Sequence, residues 1–140
     1  MNKKTKYMCG NWVKDDEGTI FQVVGANSVE VDVRPRDWFA SFRRRFSTLK
    51  GIPLDDDFFI RNGYTIDEPQ KDGYERYVQH IVADDGIGPA VTKYTAEFGR
   101  LFSGSEVEYC VTGIIIRTID EFQNIMNICG CEDIADKVKP

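Results

Sequence analysis

From Val107 to Gly130 the apolar residues change period, and the rest of the chain is organised around that change. VEYCVTGIII is apolar enough for a buried strand, and Ile119, Phe122, Ile125, Met126 and Cys129 then recur at helical spacing on one face. Thr118-Ile119-Asp120-Glu121 has the form of a capping box. In that motif the Thr118 hydroxyl accepts from the Glu121 amide, and the Glu121 carboxylate reaches back to the Thr118 amide. Gly130 stands where a left-handed stop is expected. The pattern predicts a sheet under a helical cover, with Ile119, Phe122 and Ile125 buried between them.

Upstream, the period is two. Tyr7–Val13, Thr19–Val24 and Val29–Val33 read as three short strands separated by Asp15-Asp16-Glu17-Gly18 and Gly25-Ala26-Asn27-Ser28. The third alternates strictly, with Val29, Val31 and Val33 on one side and Glu30 and Asp32 on the other. Beyond them, Asp55 is placed to cap a short helix, with Asp56 and Asp57 in its first turn and Gly63 at its end. Four further strands are expected at Tyr64–Ile66, Tyr74–Val82, Ala90–Phe102 and Glu106–Ile116, with a hairpin tip at 83–89 and a polar tail that frays after Glu132. The fold class is α+β. A small N-terminal β-meander or barrel (1–50) carries a basic aromatic helix and precedes an antiparallel sheet covered by the C-terminal helix (51–140).

Charge changes the picture at one place. Residues 34–50 hold six Arg or Lys against one Asp, a net of +5, in a chain whose total is −5. Asp37 is a plausible N-cap there, and Phe39, Phe42, Phe46 and Leu49 repeat at helical spacing. Two readings follow. One is an aromatic stripe facing the core with a solvated arginine back. The other is an anion site in which Arg43, Arg44 and Arg45, with Arg34 and Arg36 and with Trp38 stacking on a base, meet a small phosphorylated ligand. Three consecutive arginines on a helix spread over about 200°, so a second copy of the chain would be needed to bring all three to one pocket. The acidic remainder excludes wrapping of long duplex nucleic acid.

Other chemistry is sparse. Cys9, Cys110, Cys129 and Cys131 match no zinc spacing, and His80 is the sole histidine. Cys110 and Cys129 are expected as buried, reduced thiols, and no disulfide, structural metal or cofactor is implied. One histidine is a poor supply for general acid–base work, so a non-catalytic binder is expected rather than an enzyme. No apolar run approaches the roughly 18 residues that cross a bilayer, and the basic start lacks an apolar signal core, which predicts a cytoplasmic protein with no membrane partner.

Three separated motifs, Gly-Asn-Trp-Val at 10–13, Ile-Pro-Leu-Asp to Asn-Gly-Tyr at 52–64, and Arg-Thr-Ile-Asp-Glu-Phe-Gln-Asn-Ile at 117–125, together resemble small proteins of gut Bacteroidetes, their prophages and their phages. These are motifs of caps and turns, and no catalytic residue carries over from that group. The resemblance implies a phage or mobile-element accessory protein in the host cytoplasm, for which blocking or sequestering a host factor is a natural role. With the basic stretch as an anion site, the expected function is to bind and sequester a nucleotide-like ligand. The alternative is a protein-binding inhibitor, adaptor or virion component. The basic stretch 34–50 departs from the group in length, which makes it the candidate for whatever is particular to this member.

Overall fold

The computed structural model describes residues 7–26, 30–73, 75–97 and 106–140. Its first sheet contains β1 (Trp12–Asp15), β2 (Ile20–Ala26), β3 (Glu30–Pro35), β4 (Phe42–Arg45) and β5 (Leu49–Gly51). They lie in the order β4-β3-β2-β1-β5, all antiparallel. The outermost strands, β4 and β5, are joined by a single 3-10 turn, Phe46–Thr48. A flat sheet would hold such edges about 19 Å apart at the usual strand spacing, and the chain from Arg45 to Leu49 reaches no more than about 14 Å. The sheet is therefore rolled, though β4 and β5 do not pair and no closed barrel forms. Inside the roll lies a small core of Tyr7, Val13, Phe21, Val23, Val31, Val33 and Leu49. The alternation expected in the third strand holds: Val31 and Val33 are fully buried, and Glu30 and Asp32 face outward.

The segment 34–50 is where expectation and structure part most widely. It forms no helix, but the end of β3, a turn at Pro35–Trp38, β4, the 3-10 turn and most of β5. The Phe spacing fits a helix. However, a helix would leave the edge of β3 unpaired, and pairing with β4 satisfies that backbone while setting Phe42 edge-on to Phe21 at 5.6 Å.

The second sheet contains β6 (Tyr64–Ile66), β7 (Gln70–Lys71), β8 (Arg76–Ala83), β9 (Val91–Ala96), β10 (Val107–Val111) and β11 (Ile114–Ile116). Its order is β11-β10-β9-β8-β6, with β7 also along β8. The single strand expected at Glu106–Ile116 is a hairpin, because Thr112 and Gly113 both take positive φ and turn the chain back. The strand expected at Ala90–Phe102 is described only to Ala96. Its remainder from residue 98 lies outside the described residues, as do Tyr74 and Val29.

Among the described residues, three helices cover this sheet: α1 (Asp56–Arg61), α2 (Ile119–Ile128) and α3 (Glu132–Asp136). In α1 the Asp55 carboxylate accepts from the Phe58 amide at 2.8 Å, as its spacing predicts. Asp56 is further fixed by the Lys93 ammonium and the Tyr109 hydroxyl, both at 2.8 Å, which ties the first turn of α1 to β9 and β10. Ile119, Phe122, Ile125 and Met126 of α2 are buried, but Cys129 at its end is exposed rather than on the apolar face.

The reciprocal capping box does not form at the start of α2. Glu121 Oε1 instead accepts from the Arg117 amide and from the Thr118 hydroxyl, both at 3.2 Å. The Ile119 amide goes to the carbonyl of Ile52 at 2.9 Å, because the segment before α1 runs alongside the segment before α2. Nor does the tail fray. Cys131–Val138 contains α3, Ala135 and Val138 are buried in the main core, and the Lys139 amide donates to Asn62 at 2.7 Å.

The two sheets meet through α2. Trp12 packs against the larger core, and Gly51 of β5 lies so near the cap of α2 that an added Cβ would fall 2.4 Å from Thr118 Cγ2. Gly51 pairs with Val13, so the first sheet runs one residue past residue 50.

Candidate binding surface

Pairing with β3 decides where the arginines point. Antiparallel partners share a face, and the register sets Arg45 opposite Glu30, Arg44 opposite Val31, Arg43 opposite Asp32 and Phe42 opposite Val33. Arg43 and Arg45 therefore stand on the outer, acidic face of β3, and Arg44 and Phe42 turn toward the roll. Arg43 Nε donates to Asp32 at 3.1 Å, and that carboxylate raises the guanidinium pKa further. Arg44 lies 3.6 Å from Asp15 and 5.5 Å from the centre of the Phe21 ring. Asp15 is itself buried, and its other oxygen accepts the amides of Glu17 and Thr19 at 3.0 and 2.9 Å.

Arg34 is exposed on the outer face and donates to Gln22 at 3.1 Å. Arg36 and Trp38 sit in the turn after β3, held by the Arg36 amide on Ile20 and the Trp38 amide on Pro35, each at 3.0 Å. Of the six residues singled out from the sequence, then, only Arg36 and Trp38 line the same depression. Arg34 and Arg43 already hold polar partners, Arg44 leans on Asp15, and Arg45 faces Glu30 across the strands.

That depression is an open groove of about 600 Å³ at the turn end of the rolled sheet, with Ile20, Pro35, Arg36, Trp38 and Phe42 among its walls. Beside it Phe39 stacks on Trp38 with ring centres 5.1 Å apart. Trp38 is 57% exposed and Phe39 84%, with Phe42 a little under half exposed. The helical stripe placed Phe39 and Phe42 in a core. Phe39 instead lies in the loop before β4, stacked on Trp38, and Phe42, on the inward face of β4, reaches the groove and stays partly exposed.

Elsewhere, His80 is exposed on β8, and no grouping of three or more His, Cys, Asp or Glu able to hold a metal ion occurs among the described residues. No helix among them is long and apolar enough to cross a membrane. No protein-family model, curated protein or solved structure matches the chain.

Proposed function

We propose that this protein is a non-catalytic binding module that docks a partner protein at the turn end of its first sheet. The observation that carries this reading is the set of exposed aromatics, Trp38, Phe39 and Phe42, at a groove of the first sheet. Clustered aromatics with nearby arginines are the composition that supplies anchoring energy at protein interfaces, and isolated exposed apolar residues are not. The fitting partner presents an apolar side chain to the groove and a carboxylate to Arg36, the arginine of its lining. Such docking suits an accessory protein of a phage or mobile element that sequesters a host protein, which is the role implied by the resemblance of the motifs at 10–13, 52–64 and 117–125.

A second reading is favoured by one contact set. Arg36 and Trp38 line the same groove, so a nucleotide-like anion could stack on the indole while its phosphate meets one guanidinium. It enlists fewer arginines than the sequence offered.

Panning a peptide library on the wild-type chain and on the Trp38→Ala/Phe39→Ala double variant tests the first reading. Acidic peptides with an apolar anchor are expected to be enriched on the wild type and to lose at least about tenfold in affinity on the variant. A thermal midpoint raised by mono-, di- or cyclic nucleotides, with no peptide enriched, would replace it with the second.

A further inference from the structure

β4 is an edge strand, paired on one side only. Among the described residues it joins β3 alone, and it ends the order β4-β3-β2-β1-β5. Which of its backbone groups point outward follows from the residue just past β3. The Arg36 amide donates to Ile20, at the start of β2, at 3.0 Å. Backbone direction alternates along a strand, so Arg34 and Asp32 also address β2, and Val33 and Val31 address β4. Their partners Phe42 and Arg44 therefore direct N–H and C=O to β3. Arg43 and Arg45 turn theirs to the open edge. The Arg45 carbonyl there accepts the Thr48 hydroxyl at 2.7 Å, which leaves both N–H groups and the Arg43 carbonyl to a further strand.

The side chains define what such a strand would carry. β3 sets Glu30-Val31-Asp32-Val33 opposite Arg45-Arg44-Arg43-Phe42, with a carboxylate across from each outer arginine. Arg45 is exposed and has no ion pair among the described residues, and Arg43 holds only the exposed Asp32. Three consecutive arginines oppose a second copy of β4, since antiparallel self-pairing sets arginine against arginine. β5, the other edge of the roll, carries Lys50 and presses Gly51 against Thr118. The charge on β4 selects an acidic strand from another protein.

We propose that an extended segment of the docked partner adds to β4 as a further strand of this sheet, with carboxylates opposite Arg43 and Arg45 and apolar residues alternating with them. The apolar residue opposite Phe42 stands beside the aromatic groove, so edge and groove form one surface. This rests on the docking reading above and gives the partner its local shape. Main-chain hydrogen bonds hold the segment, and alternate side chains select it.

Titration calorimetry of the wild-type chain with a capped hexapeptide alternating Glu and Val tests the proposal. Saturable binding is expected, at least about tenfold tighter than for a Lys/Val hexapeptide. N-methylation separates strand addition from loose charge attraction. Residues opposite Arg43 and Arg45 aim their amides at β4, so N-methyl groups on the Glu residues should weaken binding at least about tenfold, and on the Val residues much less. Arg43→Ala/Arg45→Ala changes two exposed side chains, so it should melt with the wild type while binding the peptide about tenfold more weakly. No saturable binding, equal binding of the Lys peptide, or equal losses from the two N-methyl forms would overturn strand addition. Groove docking would survive those results if panned peptides still bind through Trp38 and Phe39, and would fall separately if they do not. A dimer in sedimentation that the Glu/Val peptide fails to dissociate, and that Arg43→Pro abolishes, would give this edge to a second copy and overturn the proposal.

Discussion

Gln123 accepts the backbone N–H of Trp12 at 3.0 Å through Oε1, across 111 residues of chain. Its Nε2 donates to the carbonyls of Gly10 and Ala135, at 2.8 and 3.2 Å. One buried amide therefore ties the start of the first sheet, the covering helix and the C-terminal helix together, and its neighbour Asn124 adds a bond from the Asn11 amide at 3.0 Å. Replacing Gln123 by Leu keeps the volume but strands the Trp12 amide and the Ala135 carbonyl, and leaves the Gly10 carbonyl with only a 3.4 Å bond from Gln22. With about 1–3 kcal/mol for each buried group left unpaired, and some regained through water at the edge, the expected loss is about 3 kcal/mol. Denaturant unfolding checks this. A loss under about 1 kcal/mol would mean that the two sheets are not held by this amide.

Phe122, one residue before Gln123, is buried in the larger core. Its ring meets Phe58, Phe59 and Tyr64 edge-on at 5.4, 5.7 and 6.0 Å. Phe122→Ala should cost about 3–5 kcal/mol, from lost burial plus a cavity that three rigid rings cannot fill by relaxing. Phe122→Leu should cost less than half of that. Equal losses for the two would show that the aromatic geometry, not the volume, is what matters.

The parts of the fold legible in the sequence are those set by neighbours along the chain. The Asp55 cap, the burial of Ile119, Phe122 and Ile125, and the Val31/Val33 alternation each follow from a local rule. What failed depended on pairing across the chain. Phe39, Phe42 and Phe46 satisfy a helical period by coincidence, and only the presence of an unpaired β3 edge makes a strand the better solution for 42–45. The complement was written in the residues: Glu30-x-Asp32 and Arg43-x-Arg45 alternate in step, as cross-strand partners do. At the start of α2 the Ile119 amide is taken by the Ile52 carbonyl, a contact between segments 67 residues apart that no local motif encodes. The aromatic groove was half legible, through Trp38 and Arg36.

Alkaline pH should expose the buried phenols. Burial lifts both Tyr7 and Tyr64 to about 12, and lifts Tyr109 still further with help from its bond to Asp56. A raised folded-state value means that the folded chain holds protons which the unfolded chain has already released. Stability from these groups is therefore complete below the ordinary tyrosine value of about 10 and is lost as pH rises toward 12. Phenolate absorbance should show tyrosines still protonated above pH 11 until the fold gives way. In Tyr64→Phe the decline of stability between about pH 10 and 12 should be shallower. An unchanged slope would mean that Tyr64 ionises in the folded state as freely as in the unfolded one.

The arginines of β4 should differ sharply in what they contribute, even though they are adjacent. Arg43 and its partner Asp32 are both well exposed, so their 3.1 Å contact is screened by solvent, and Arg43→Ala should change stability by less than about 0.5 kcal/mol. Arg44 is mostly covered and answers the buried carboxylate of Asp15, which also organises the β1–β2 turn through Glu17 and Thr19. Removing it leaves that carboxylate short of its cation and uncovers one face of Phe21, so Arg44→Ala should cost about 2 kcal/mol, below the range for a fully buried pair because part of the guanidinium still sees water. Lys at 44 should restore only part of this, since an ammonium lacks the planar group that lies over the Phe21 ring. Measured by chemical denaturation, equal costs for Arg43→Ala and Arg44→Ala would show that the strand does not separate the two faces, and the assignment of Arg43 and Arg45 to the outer surface would fall with it.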